Sequence, residues 1–140
     1  MSVDLPEDYI PTDDEPYMNP RQIEYFRRQL IAWRENLLAE SEKTLNKLKE
    51  DKERDIEAVD QGTNESATAF ELRTRDRYRK LIKKIERALE RISNGTYGYC
   101  EETEEEIGIR RLLARPIATL SLEAQERHER EKKKREARSG

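Results

Sequence analysis

From Arg21 to Val59 the chain carries no proline, and its large apolar residues recur at the spacing of a coiled-coil seam. Ile23, Phe26, Leu30, Trp33 and Leu37 follow one another by 3, 4, 3 and 4 residues. The register then slips through Ser41 to Leu45 and Leu48. A stretch of nearly forty residues would make a helix about 57 Å long at 1.5 Å per residue. Asn19 is a good N-cap, Pro20 suits the first helical position and Gln22 stands where a capping-box partner belongs. A return helix carries Ile82, Ile85, Leu89 and Ile92 and stops at Asn94-Gly95. Between them, Asp60-Gln61-Gly62-Thr63-Asn64 is the region's turn chemistry. The pattern predicts a long antiparallel helical hairpin over 19–95, with its tip near 57–64.

Composition agrees with a thin, surface-rich structure. Charged residues are 42% of the 140 and hydrophobic ones 34%, too few to fill a spherical core. The seam is strong at the base and weak near the tip, where Ile56 and Val59 are the large aliphatics between Lys49 and Ala69. Each buried Leu or Ile contributes roughly 1.5–3 kcal/mol, so the base should hold the hairpin. The polar tip is either a solvated coiled-coil end or a probe that works in a charged, water-filled cavity. A net charge of −3 gives no general reason to bind nucleic acid. One cysteine excludes an internal disulfide and fits a reducing cytosol. No apolar run reaches the roughly 20 residues of a membrane span, and Met1–Glu15 lacks the pattern of a signal peptide. Residues 1–18, acidic and proline-bearing, read as an extended arm.

Residues 96–140 form a third segment that reads like a zinc ribbon stripped of its ligands. Thr96–Cys100 and Ile107–Leu113 look like short strands around the acidic turn Glu101–Glu106, and Ser121 can cap a last helix from Leu122 to about Arg138. Ribbon spacing puts ligands at Cys100, Thr103, Ser121 and Ala124, of which Cys100 is the one thiol. Structural zinc takes four Cys, His or carboxylate ligands in a tetrahedron, so zinc is not expected. Packing must replace it. Tyr97, Tyr99, Leu112, Ile117, Leu120 and Leu122 are expected to pack on the hairpin base near Trp33 and Leu89. Cys100 reads as a small buried hydrophobe, its thiol raised by Glu101 and Glu102. His128 reads as a surface residue. Glu104-Glu105-Glu106 lacks the spacing of a calcium loop. No nucleophile–base pair, phosphate loop or catalytic carboxylate pair appears, so an enzyme has no support.

The residues together resemble one family. Glu15-Pro-Tyr-Met-Asn19, Phe26-Arg-Arg28, Ala32-Trp-Arg34, Glu71-Leu-Arg-Thr-Arg-Asp-Arg77, Arg79-Lys-Leu-Ile-Lys-Lys-Ile-Glu86, Gly98-Tyr-Cys100, Ile107-Gly-Ile-Arg-Arg111 and Ala114-Arg-Pro116 resemble the DksA/TraR group of bacterial RNA-polymerase regulators. The single-cysteine knuckle, followed by Ile117 through His128, resembles the group's zinc-less alphaproteobacterial branch.

The resemblance implies a cytoplasmic, monomeric protein, mainly α, with a coiled-coil hairpin and a small degenerate zinc-finger-like module holding a short β-hairpin and a C-terminal helix. It implies binding to RNA polymerase at the secondary channel, with no sequence-specific reading of DNA. An acidic tip destabilises promoter open complexes there, and the alarmone ppGpp strengthens the effect at ribosomal RNA and amino-acid promoters. The family's Asp-x-x-Asp-x-Ala tip falls on Glu57, Asp60 and Gly62, which matches at Asp60 and departs at the other two. Its ppGpp-binding residues fall on Arg77, Leu81 and Lys84, and a further family lysine on Gln125. Spacings of 4 and 3 put Arg77, Leu81 and Lys84 on one helix face, where a basic surface suits a polyphosphate. From spacing alone that face can equally be solvated and paired with Glu86 or the first helix. Other readings are a tip-altered paralogue, a Gre-like secondary-channel factor and a coiled-coil adapter with no regulatory role.

Overall fold

The computed structural model describes residues 3–57 and 64–139. Four helices follow in order: α1 (Pro20–Glu57), α2 (Asn64–Asn94), α3 (Ile109–Ala114) and α4 (Leu122–Ser139). Among the described residues, none of them is long and apolar enough to cross a membrane. The chain divides into two compact units, Met1–Leu30 with Ala88–Gly140, and Ile31–Arg87.

Helix boundaries follow local chemistry. Asn19 caps α1, its Oδ1 accepting from the N–H groups of Arg21 at 2.9 Å and Gln22 at 3.1 Å. Gln22 reaches back one residue further than a standard capping box. Its Oε1 accepts from the Met18 N–H at 2.7 Å, aimed there by the positive φ of 53° at Met18. At the far end of α2, Gly95 has φ 81°, the Thr96 N–H bonds to the Arg91 carbonyl and the Gly95 N–H to that of Ile92. That pair of bonds is a Schellman stop, which glycine enters without a Cβ penalty. Ser121 caps α4 through Oγ, which accepts from the Ala124 N–H at 3.2 Å.

The first unit owns most of the core. Phe26, Leu30 and Leu112 are fully buried, joined by Tyr97, Ile107, Ile109, Ala118 and Ala124. Phe26 and Tyr97 meet with ring centroids 5.7 Å apart, and the Tyr97 hydroxyl donates to the Pro116 carbonyl. Of the residues expected to pack on the hairpin base, Tyr97 and Leu112 bury their side chains. Tyr99 and Leu122 do not: both are exposed. Tyr99 lies edge-on to Tyr17 instead, at 5.6 Å.

The acidic arm is docked in this unit. The buried Gln22 side chain donates to the Thr12 carbonyl, Tyr9 stacks edge-on to Tyr25, and Arg28 donates to the Val3 carbonyl. Among the described residues, strand pairing is reduced to one antiparallel bridge, Tyr99 with Glu106. Where Ile107–Leu113 was expected extended, residues 109–114 are helical. Gly108, with φ 103°, turns the chain out of the bridge and into α3, a step that β-branched neighbours cannot make.

The second unit is an antiparallel pair of helix segments with little apolar burial. Among its described side chains, only Leu37, Glu71 and Ile85 are buried. Ile31, Ser41, Leu45 and Leu48 on α1, and Thr68, Tyr78 and Ile82 on α2, are half-buried along the same seam. Burial therefore thins along the seam from Leu37 and Ile85, as the sequence pattern anticipates.

Candidate functional site

Three sets of residues carry the functional expectations. The first is the tip. Glu57 ends α1. Its side chain, and Asp60 and Gly62 entirely, lie outside the described residues, as does most of the turn from Asp60 to Asn64.

The second is the basic face of α2. Arg77 and Lys84 are exposed and Leu81 is half-buried, so the three do share one accessible face in the second unit. Among the described residues, no ion pair joins Arg77 or Lys84 to Glu86 or to α1. Both cations therefore keep their hydrogen-bonding capacity for solvent or an anion, and a guanidinium with an ammonium about two turns on can grip a polyphosphate.

The third set is the knuckle, in the first unit. Sequence positions far apart converge there. Cys100 is buried, Thr103 half-buried, and Ser121 and Ala124 buried. The Thr103 hydroxyl and the N–H groups of Ser121, Thr103 and Glu102 favour the thiolate form of Cys100. Backbone bonds close the turn around it, from the Cys100 N–H to the Glu105 carbonyl at 2.8 Å and from the Glu104 N–H to the Cys100 carbonyl at 2.9 Å. The Glu101 N–H reaches the Thr119 carbonyl at 2.9 Å, tying the turn to the segment before α4.

These four residues do not make a zinc site. One thiol, two hydroxyls and a methyl offer a single soft donor where a tetrahedron needs four ligands. Among the described residues no group of three or more His, Cys, Asp or Glu is placed to hold a metal.

The thiol itself differs from the sequence expectation. Burial pushes its pKa up, but the Thr103 hydroxyl and the surrounding N–H groups outweigh burial and bring it down to about 6. The acidic residues after Cys100 do not raise it, because their carboxylates turn elsewhere: Glu101 to Arg91, Glu102 to His128. His128 is exposed, as expected of a surface residue, and has the Glu102 carboxylate as partner.

The roles of three residues, Tyr17, Gly98 and Glu71, escaped the sequence reading. Tyr17 bridges the knuckle: its hydroxyl donates to the Gly98 carbonyl at 2.6 Å and accepts from the Gly108 N–H at 3.0 Å. Nothing local marks it, since its partners lie 81 and 91 residues away. Gly98 is where Met18 and Tyr17 press closest, and an added Cβ would sit 2.9 Å from the Met18 side chain. Glu71 is a buried carboxylate in the second unit. A signal for it did exist, because Glu71, Tyr78, Ile85 and Ile92 recur every seven residues and so occupy one seam position.

The sequence and fold match one group of known proteins. Residues 22–92 match the family model described as "DnaK suppressor protein DksA, N-terminal domain", and residues 95–130 that of the "Prokaryotic dksA/traR C4-type zinc finger". The RNA polymerase-binding transcription factor DksA of Caulobacter vibrioides is 56% identical over 123 residues, 88% of this chain and 87% of that one. The chain belongs to the DksA family. The DksA of Escherichia coli K12 is 44% identical over 117 residues, 84% of this chain and 78% of that one. Among solved structures, the transcription factor DksA2 of Pseudomonas aeruginosa superposes with a TM-score of 0.79 at 42% identity, covering 84% of this chain and 90% of that one. These DksA relatives bear the names of transcription factors, not of enzymes. The zinc-finger model matches a segment whose donor set, one thiol among Cys100, Thr103, Ser121 and Ala124, cannot hold zinc.

Proposed function

We propose that this chain is a cytoplasmic, monomeric transcription regulator that binds RNA polymerase through the secondary channel. Its hairpin presents Glu57, Asp60 and Gly62 toward the polymerase active site, where the acidic tip destabilises open complexes at ribosomal RNA promoters and favours some amino-acid promoters. ppGpp deepens the effect by binding at the polymerase interface, with Arg77 and Lys84 on its phosphates and Leu81 beside them. The protein does not read DNA sequence, and the knuckle works without zinc.

The observation that carries the reading is the 56% identity, over 88% of the chain, to a protein named as an RNA polymerase-binding factor. The exposed face of Arg77 and Lys84, free of the ion pairs that would occupy it, supports the ppGpp part. A second reading, a tip-altered paralogue that occupies the polymerase without regulating it in the usual way, is favoured by Glu57 and Gly62. One is a methylene longer than the family's Asp, and the other costs about 1 kcal/mol of helix propensity relative to Ala.

Run-off transcription from a ribosomal RNA promoter with the cognate polymerase separates the two. Inhibition that deepens with ppGpp supports the regulator. No inhibition, with demonstrable competition for the secondary channel, leaves the paralogue. Asp60→Asn should abolish regulation while polymerase binding survives; if it changes nothing, the coiled-coil adapter is the better description.

A further inference from the structure

Glu71 is the one buried side chain on α2 between Asn64 and Ile85 among those described, and it is a carboxylate. Its Oε1 meets the Lys47 ammonium at 3.0 Å. Its Oε2 is buried with no hydrogen-bond partner. The two sides of the pair are unequal, with 10% of the Glu71 side chain exposed against 66% of Lys47. The ammonium stays in water, while the carboxylate occupies the seam position that Tyr78 and Ile85 hold one and two heptads further on.

Such a residue is a poor choice for stability. An apolar side chain at a seam position normally packs better than a half-satisfied buried carboxylate, and replacing a buried ion pair with apolar residues is often neutral or stabilising. Its physical merit is selectivity. Leu45 and Leu48 are half-buried and would accept neighbouring registers of α2 equally well. A carboxylate cannot, because a slip takes it away from Lys47 and leaves a buried charge with no partner. The pair stands about 15 Å along α1 from Glu57 and about 10 Å along α2 from Asn64, counting 10 and 7 residues at 1.5 Å each. Glu71 is the last buried side chain of α2, among those described, before the connection that carries Asp60.

We propose that the Glu71–Lys47 pair is a register lock, and that Glu71 is a positioning residue which fixes where the hairpin tip is presented. A slip of a single residue would shift one helix by about 1.5 Å and rotate its face by about 100°. The functional half of this inference rests on the polymerase reading above; the lock itself does not.

Nitroxide labels on Lys49→Cys and Ala69→Cys, in a Cys100→Ser background, report the register directly by pulsed electron resonance. One narrow distance is expected with the pair intact. Glu71→Leu should shift or split it while the melting temperature holds or rises, and the exchanged pair Lys47→Glu with Glu71→Lys should restore it. In run-off transcription, Glu71→Leu should need about tenfold more protein for equal inhibition, since a misplacement of about 1 Å is costly to a positioned group. Competition for polymerase should stay unchanged. An unchanged distance in Glu71→Leu overturns the lock, whatever the transcription result. An altered distance with full inhibition overturns the positioning role. Failure of the parent protein to inhibit would sink the polymerase reading and leave the distance measurement still decisive for the lock.

Discussion

In the unit built from Met1–Leu30 and Ala88–Gly140, the fully buried large side chains are Phe26, Leu30, Leu112, Gln22 and Cys100, backed by the aromatic contact of Phe26 with Tyr97. In the unit Ile31–Arg87, Ile85 alone reaches that state among the described residues, and the next buried group along α2 toward Asn64 is the Glu71 carboxylate. The first unit has lost a metal's worth of donors and holds together by burial and by long-range hydrogen bonds. The second buries little and is specified by where its polar groups meet. Stability and specification have thus been assigned to different regions of one chain, and substitutions in each should fail in different ways.

The largest expected effect is in the first core. Phe26→Ala should destabilise by about 3–5 kcal/mol, the usual range for a large aromatic truncated in a packed site. Leu48→Ala, at a half-buried position of the second unit, should lose about 1 kcal/mol, since much of its surface is already in water. Chemical denaturation of both variants checks the pair. Comparable losses would erase the distinction.

Next comes the Tyr17 clamp. Tyr17→Phe removes the acceptor for the Gly108 N–H and the donor to the Gly98 carbonyl, and should lose about 1–3 kcal/mol. If Tyr17→Phe melts with the parent protein, the arm does not help to replace the metal.

A pH effect should follow from Cys100. Its folded pKa lies near 6, below the ordinary thiol value of 9.0. Stability from this group is therefore fully present above about pH 9 and is lost as pH falls through about 6. The denaturant midpoint of the parent should decline across that window relative to Cys100→Ala, while a chelator at neutral pH should move neither. A chelator-sensitive midpoint would restore a metal to the knuckle.

Smallest of all should be the stability change in Arg77→Ala with Lys84→Ala. Both side chains are exposed and unpaired, so the midpoint should stay within about 0.5 kcal/mol. The ppGpp response should nevertheless disappear and basal inhibition persist. Equal loss of both activities would remove ppGpp from this face.

Much of the architecture was legible because it is encoded over short distances. Asn19, Pro20, Asn94-Gly95 and Ser121 each act on backbone groups within a turn or so, and each does what its chemistry predicts. The seam of α1 and the basic face of α2 follow from periodicity alone. The strand expected over Ile107–Leu113 was misplaced for a related reason. Ile109 and Leu112 are buried by a short helix that Gly108 starts, and six residues are too few for periodicity to tell helix from strand.

By itself, the sequence determined that this chain is a long helical hairpin with a small capped module, and which group of proteins it resembles. Tertiary structure alone decided the rest. It turned Cys100 from a raised thiol into a lowered one, the Thr103 hydroxyl first and then the Ser121 N–H, from 21 positions later in the chain, favouring the thiolate. It put Tyr17 between Gly98 and Gly108, and left one oxygen of Glu71 buried without a partner. A charge or a hydroxyl takes its properties from what surrounds it in space. Caps and periodicity are set by neighbours in sequence, whereas burial and hydrogen-bond partners are set by segments that meet only once the chain has folded.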